Sequence, residues 1–305
     1  MSNVETNLLD RETRNPAVYI KKDGIVHLFD CGRVEYPQKL ISKLENIFIS
    51  HAHIDHLIGF DEILGMKLYA AHKHINVFGP GGITEQIMHK INAYTWNLVE
   101  PDAISIDVYE MRDDEIRRTK FSVNGNMAGE LVETGTIEDN TVFSGKDYTV
   151  KRIILNHGIP SIGYSFEESQ KINISREKME ARNLSPGPWI NVLKEAFIQR
   201  QETEITVGDK VFRTDELTDM LEVNPGTKIV YLTDFLLDDK TRSELSLFAG
   251  NADILYCEAS YKNEELEIAR RNMHLTEGQA EDIAALANVR ELIKFHRSER
   301  YGEEG

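Results

Sequence analysis

The chain reads as an α/β protein built as an αββα sandwich, two mixed sheets face to face with helices outside. Short runs rich in Val, Ile, Phe and Tyr alternate with stretches of helical periodicity for most of the length, the mixture expected of layered α/β structure. Several of these apolar runs are closed by a His or Asp, at the strand ends where an open sheet places its functional groups.

The strand candidates, in order, are 16–22, 25–31, 46–50, 75–79, 149–156, 161–166, 227–233, 252–258 and 291–296. Polar or turn residues bound most of them. Helical patterns occupy 82–98, 176–183, 190–200, 240–248 and 275–288. The last starts after Thr276 and sets Ala280, Ile283, Ala284 and Leu286 on one face. No internal repeat or low-complexity tract interrupts the series.

One domain is expected over 1–305, with an arm-like insertion at about 167–215. That segment is polar and contains the turn block Ser185-Pro186-Gly187-Pro188. Within 171–200, six cations (Lys171, Arg176, Lys178, Arg182, Lys194 and Arg200) stand against Glu177, Glu180 and Glu195. A solvated surface of mixed charge is the ordinary meaning of such a run. A patch that grips phosphates is the sharper one.

Composition narrows the class. At 305 residues, 41% hydrophobic and 28% charged, the chain can bury a full core. No stretch approaches the ~18 apolar residues of a membrane span, and the N-terminus lacks a basic start followed by an apolar run, so no secretory signal and no membrane are expected. Cys31 and Cys257 each lie in an apolar run, which favours two buried free thiols, a reducing compartment and a cytoplasmic location. A net charge of −16 argues against general nucleic-acid binding through bulk electrostatics.

The chemistry concentrates in His51-Ala52-His53-Ile54-Asp55-His56, directly after Ile47-Phe48-Ile49. Side chains two apart in an extended segment share a side, so His51 and His53 can meet one metal. Asp55 and His56 fall where a helix begins and can face a second. Imidazoles with carboxylates suit zinc and comparable divalent ions. Further donors close other runs: His157 after Ile153-Ile154-Leu155, Asp234 after Val230-Tyr231-Leu232, and His296 after Leu292-Ile293. A lone strand-end His or Asp is usually a cap or surface group; their convergence gives them weight. His27, His72, His74 and His89 lack ligand spacing and are expected to pack or face solvent, as are Tyr94, Trp96 and Trp189.

These motifs resemble the ribonuclease Z branch of the metallo-β-lactamase superfamily, whose members remove the 3′ trailer from precursor tRNA. The likeness runs from Asn15 to Tyr301. It is carried by Leu28-Phe29-Asp30-Cys31-Gly32, the block at 51–56, His157-Gly158-Ile159-Pro160-Ser161-Ile162-Gly163-Tyr164, and 182–194, which is similar to the family's tRNA-gripping arm. Tyr231-Leu232-Thr233-Asp234, Cys257-Glu258-Ala259-Ser260, His274-Leu275-Thr276 and 296–301 complete it. The chain departs from the pattern at 8–12, which lacks the family's glycine turn, in the arm, which lacks a Lys-Pro-Gly entry, and at Arg297, where the family carries an aromatic.

The resemblance implies two divalent metals, zinc first, with manganese or iron accepted by the same donors. His51, His53 and His157 would hold one; Asp55, His56 and His296 the other; and Asp234 would bridge them. It also implies a catalytic role for Asp55, a proton-handling pair in Glu258 and His274, and a place near the metals for Asp30. The expected activity is a phosphodiesterase acting as a tRNA 3′-processing endonuclease, as a homodimer. Hydrolysis of a cyclic nucleotide or another small phosphodiester is the alternative, and a non-catalytic metal-binding protein a third.

Overall fold

In the computed structural model, residues 4–10, 12 and 14–301 are described; Arg11, in the 8–12 segment that departs from the family, lies outside them. The first sheet follows chain order: β1 (Val4–Leu8), β2 (Val18–Lys22), β3 (Ile25–Phe29), β4 (Leu44–Phe48), β5 (His74–Pro80), β6 (Ser105–Arg112), β7 (Glu115–Ser122) and β8 (Glu130–Thr136). Strands β3 to β6 are parallel, and the outer pairs are antiparallel. Parallel neighbours need crossovers. Helix α1 (Gln38–Ile41), then α2 (Ile54–Leu57) with α3 (Phe60–Lys67), then α4 (Ile83–Asn92) supply them. The β2–β3 hairpin turns through Asp23 and Gly24, both at positive φ (50° and 88°), which matches the twist of a two-residue hairpin.

The chain continues as β9 (Thr141–Ser144), β10 (Tyr148–Asn156) and β11 (Pro160–Glu168). A separate compact unit spans Glu168–Gly226. It holds β12 (Lys171–Ile174), α5 (Arg176–Ala181), α6 (Trp189–Gln199), β13 (Glu204–Val207), β14 (Lys210–Arg213), α7 (Thr214–Leu217) and β15 (Leu221–Asn224). Strand β16 (Lys228–Leu232) then returns to the main unit. After it come α8 (Asp239–Phe248), β17 (Ile254–Glu258), α9 (Leu266–Asn272), α10 (Glu277–Leu286) and β18 (Glu291–Phe295). The second sheet runs β18-β17-β16-β11-β10-β9.

The expected αββα layering is present, and side-chain alternation along the strands explains it. Phe29, Phe48 and Phe78 point inward and meet Tyr164, Phe166, Tyr231, Tyr256 and Phe295 of the second sheet. Their rings stack, Phe29 on Phe48 at 5.0 Å and Phe48 on Phe78 at 4.8 Å between centroids. The neighbours Leu28, Ile47 and Val77 point outward, onto Phe60 and Ile63 of α3 and Ile83 and Ile87 of α4. On the far side Leu232, Leu255 and Cys257 pack beneath Leu245 of α8 and Ile283 of α10. Cys31 and Cys257 are buried and free.

All nine expected strands are present, with ends shifted by a few residues. The helix expected over 82–98 stops at Asn92. Thr276 caps α10, its hydroxyl accepting from the Gln279 amide. Leu286, expected on the buried face of α10, is 58% exposed, and Ala287 fills that position. Strands β6 to β8 carry no clean apolar alternation. In β6, buried Asp107 pairs with Arg118 and buried Glu110 with Arg112, so polar residues occupy core positions. β8 is an edge strand, exposed at nearly every position.

The unit at 168–226 has its own small core of Met179, Leu184, Trp189, Leu193, Ile205 and Leu217. Over the full unit, eight basic residues face eleven acidic ones, so the local cationic excess at 171–200 disappears. Arg176 pairs with Glu180 at 2.8 Å, Arg182 with Asp219 at 2.8 Å, and the Lys178 ammonium donates to the Asp219 carbonyl. No helix among the described residues is long and apolar enough to cross a membrane.

Candidate metal centre

The segment after β4 is held from both sheets: the Ile49 amide donates to the Phe78 carbonyl and the Ile162 amide to that of Ser50. It stays extended through His53, the residue that opens α2. His51 and His53 therefore share a side, their ring centroids 4.4 Å apart. Asp55 and His56 follow in the single turn of α2. Gly32 lies behind that turn, where an added Cβ would stand 2.7 Å from the Asp55 carbonyl oxygen. The glycine of the Asp-Cys-Gly motif is thus set by close backbone approach.

The remaining donors come from strand ends. His157 directly follows β10, His296 directly follows β18, and Asp234 lies two residues past β16. Asp30, Asp234 and His296 have φ of 54°, 51° and 61°. This left-handed conformation is uncommon for residues with a side chain, and it concentrates at sites the surrounding structure over-determines.

Asp234 sits at the centre. Its Oδ2 lies 3.7 Å from His51 Nε2, 3.3 Å from His56 Nε2 and 3.5 Å from His157 Nε2, and its Oδ1 lies 3.5 Å from His296 Nε2. His51, His53, His157 and Asp234 offer donor atoms within 4.8 Å of one another, as do Asp55, His56 and His296. All seven expected ligand positions are brought together.

The other ring nitrogen of several histidines is fixed from behind. His51 Nδ1 meets Ser50 Oγ at 3.0 Å, His56 Nδ1 meets Asp30 Oδ2 at 2.8 Å, and His157 Nδ1 meets the Met273 carbonyl at 2.9 Å. Each bond turns Nε2 toward Asp234, the arrangement that orients metal-binding imidazoles. Asp30 is fully buried and also accepts from the Ser50 amide, the Ser50 hydroxyl and the Tyr231 hydroxyl. Ser50 lies outside the sequence motifs, and Tyr231, Thr233 and Ser260 lie inside them with no role legible in the sequence, yet all four are parts of the site. Their hydroxyls serve through neighbours: Thr233 donates to Asp234 Oδ1 at 2.7 Å and Ser260 to Glu258 Oε2 at 2.7 Å.

The donor set fits a cation. His51 Nε2 is buried and has no hydrogen-bond partner. Burial and the neighbouring imidazoles push the His51 pKa down to about 2, so the ring is neutral with a lone pair facing inward. Burial opposes charge on His56, but Asp234 and Asp30 outweigh it and raise its pKa well above the ordinary value. Buried carboxylates there call for positive charge, which a divalent ion supplies.

Beside the donors, fully buried Glu258 accepts from the Phe235 amide at 3.0 Å and pairs with His274 Nδ1 at 2.9 Å. Burial lowers the His274 pKa, but Glu258, helped by Asp234, outweighs it and lifts it to about 9. His274 therefore holds a proton at neutral pH. It lines a cleft of about 190 Å³ together with Arg14, Asn15, Asp55, His296 and Arg297. The other histidines stay out of the cluster. His27 is buried between Asn46 and Tyr148, with a pKa lowered by burial to about 4, and His89 is exposed beside Glu85.

No protein-family model matches the chain. It is 30% identical over 296 residues to a ribonuclease Z of Methanocaldococcus jannaschii, covering 94% of this chain and 81% of that one. Among solved structures it superposes on the short form of human tRNase Z with a TM-score of 0.56 at 18% identity, covering 98% of this chain and 94% of that one. It also superposes on the metallo-β-lactamase fold protein YhfI of Bacillus subtilis with a TM-score of 0.51 at 14% identity, covering 93% and 80%. Fold, strand-end donors and identity over nearly the full length agree: the chain belongs to the ribonuclease Z family.

Proposed function

We propose that the chain is a metal-dependent endoribonuclease that removes 3′ trailers from tRNA precursors. One observation carries the reading: six metal-type donors gather around a seventh, Asp234, with the Glu258–His274 pair beside them. His51, His53 and His157 would hold one ion, Asp55, His56 and His296 a second, and Asp234 would touch both. Zinc suits this nitrogen-rich set best. Two such ions polarise a phosphoryl oxygen and lower the pKa of water.

The chain's own residues would do the rest. Hydrolysis forms a bond from water oxygen to phosphorus, with the proton that water loses passing to solvent, and breaks the bond from phosphorus to the departing oxygen. His274, kept protonated by Glu258, delivers its proton to that oxygen. Asp55 serves as a ligand at the mouth of the cleft, its side chain 44% exposed and so open to substrate. Asp30 holds His56 in its donor orientation. A homodimer is part of the same proposal by family resemblance alone, and tRNA contact through 171–200 would be weak, because several of its cations are already paired locally.

A precursor tRNA with a 3′ trailer tests the reading. The purified chain should release the trailer, stop on chelation and recover with zinc. A second reading, hydrolysis of a small phosphodiester, draws support from the paired cations of 168–226 and the net charge of −16. Turnover of small diesters with no cleavage of any precursor would favour it.

A further inference from the structure

We propose that Arg297 forms a phosphate subsite for the substrate strand next to the metal ligands, with Arg14 as the second cation of the same cleft. The inference rests on the proposed phosphodiester chemistry and adds a residue that the metal-binding and proton-handling sets leave unused. Arg297 lines the cleft that His274, His296 and Asp55 also line. Its guanidinium makes no ion pair with a described residue, and its Nε hydrogen is buried without a hydrogen-bond partner. A buried donor left unfilled costs free energy, and an anionic oxygen would fill it.

Arg300, three residues on, shows the contrast. It pairs with Glu265 at 3.2 Å, so its charge is already met.

The side chain is also held in place. Its guanidinium carbon lies 5.5 Å from the centre of the Tyr301 ring. The Tyr301 hydroxyl is anchored in turn by the Lys262 amide and Glu265. The Ser298 amide donates to the Ser260 carbonyl, fixing the backbone one residue after Arg297. Arg14 enters from the segment before β2, where the Asp10 carboxylate accepts from the Arg14 and Asn15 amides at 2.9 and 2.6 Å. Its one ion pair among the described residues, with Glu12, is long at 3.7 Å. A planar fork on an aromatic ring suits bidentate recognition of a phosphate, and lysine would not replace it fully.

The test is anisotropy of a labelled single-stranded RNA tetranucleotide with phosphorothioate linkages, bound to the metal-loaded chain across a salt series. Arg297→Ala and Arg297→Phe should each weaken binding about 10-fold and flatten the salt slope by about 0.7, the value of one single-strand phosphate contact. Arg297→Lys should fall between them and the parent. Metal content should stay at the parent level in all three. The phenylalanine variant keeps an apolar ring against Tyr301, so it separates lost charge from lost packing. Parent-like affinity and slope in Arg297→Phe would overturn the subsite, as would absence of tetranucleotide binding by the parent. Loss of metal in both charge-removing variants would also overturn it, making Arg297 a support for His296. Failure to cleave precursor tRNA would strike the proposed function and leave this binding result standing.

Discussion

Around Asp234, three buried carboxylates (Asp30, Asp234 and Glu258) face six imidazoles, and one of those rings keeps a buried nitrogen with no partner. In Glu168–Gly226, the charged side chains other than buried Glu168 lie at or near the surface, and several answer one another in local pairs. The first region is incomplete without a cation. The second closes on itself. The difference teaches that a count of like charges is weak evidence for a binding surface, because neighbours in the fold can satisfy them. Donors that the fold leaves unsatisfied are stronger evidence.

Removing a central donor should break the first region outright. Asp234→Ala should lose more metal than His296→Ala, because Asp234 stands against both donor groups and His296 against one. His53→Ala should lose at least one ion and nearly all turnover, since no adjacent side chain can take its place. Elemental analysis with a diester assay reads both; turnover intact in metal-free His53→Ala would contradict the site.

His274→Ala should keep its metal and lose turnover by about 10²–10⁴. Because the folded pKa of His274 is raised to about 9, its proton is present at neutral pH and is lost as pH rises through that value. The alkaline limb of the rate profile should fall there. Glu258→Gln should move that limb downward, since burial then acts without the opposing carboxylate. The same sign holds for stability: the contribution of the Glu258–His274 pair is complete below the unfolded histidine value of about 6.5 and disappears above the folded one. An alkaline limb indifferent to Glu258→Gln would remove the pair from proton transfer.

Asp30→Ala would act on the metal site indirectly, through His56 and through Ser50 to His51, so its effect should be milder, a roughly 10–100-fold loss of metal affinity. A competition titration against a chelator measures it, and unchanged affinity would deny Asp30 its orienting role. The smallest effect belongs to the second region. Neutralising Lys171, Arg176, Lys178 and Arg182 together should flatten the salt slope of tRNA binding by less than one unit per residue, because local acids and carbonyls already hold these side chains. Turnover of a small diester should not change. A slope lower by about four would restore the arm as a strong exosite.

The sequence exposed most of the donor cluster because metal chemistry demands particular residue types at particular spacings. His51 and His53 needed only an extended backbone, and His157, Asp234 and His296 each stood beyond an apolar run. The supporting hydroxyls were hidden for the opposite reason. Ser50 and Ser260 are ordinary residues locally, and their meaning comes from contacts with Asp30, Glu258 and His296. Tyr231 reads as a core aromatic and packs as one, yet its hydroxyl reaches Asp30 across 201 residues of sequence. Strands β6 to β8 escaped because buried acids such as Asp107, paired with the part-exposed Arg118, put charge where alternation predicts apolar side chains. Likewise the cationic excess at 171–200 looked distinctive until Asp215, Glu216, Asp219 and Glu222, outside that window, joined the same unit.

In the proposed site two ions would share Asp234, and His274 would stand outside their coordination. Elemental analysis of the freshly purified parent, Asp234→Ala and His274→Ala chains tests this arrangement most directly. The expected values are about two divalent metals per parent chain, close to none in Asp234→Ala, and the parent value in His274→Ala. Metal retained in Asp234→Ala and lost from His274→Ala would contradict it.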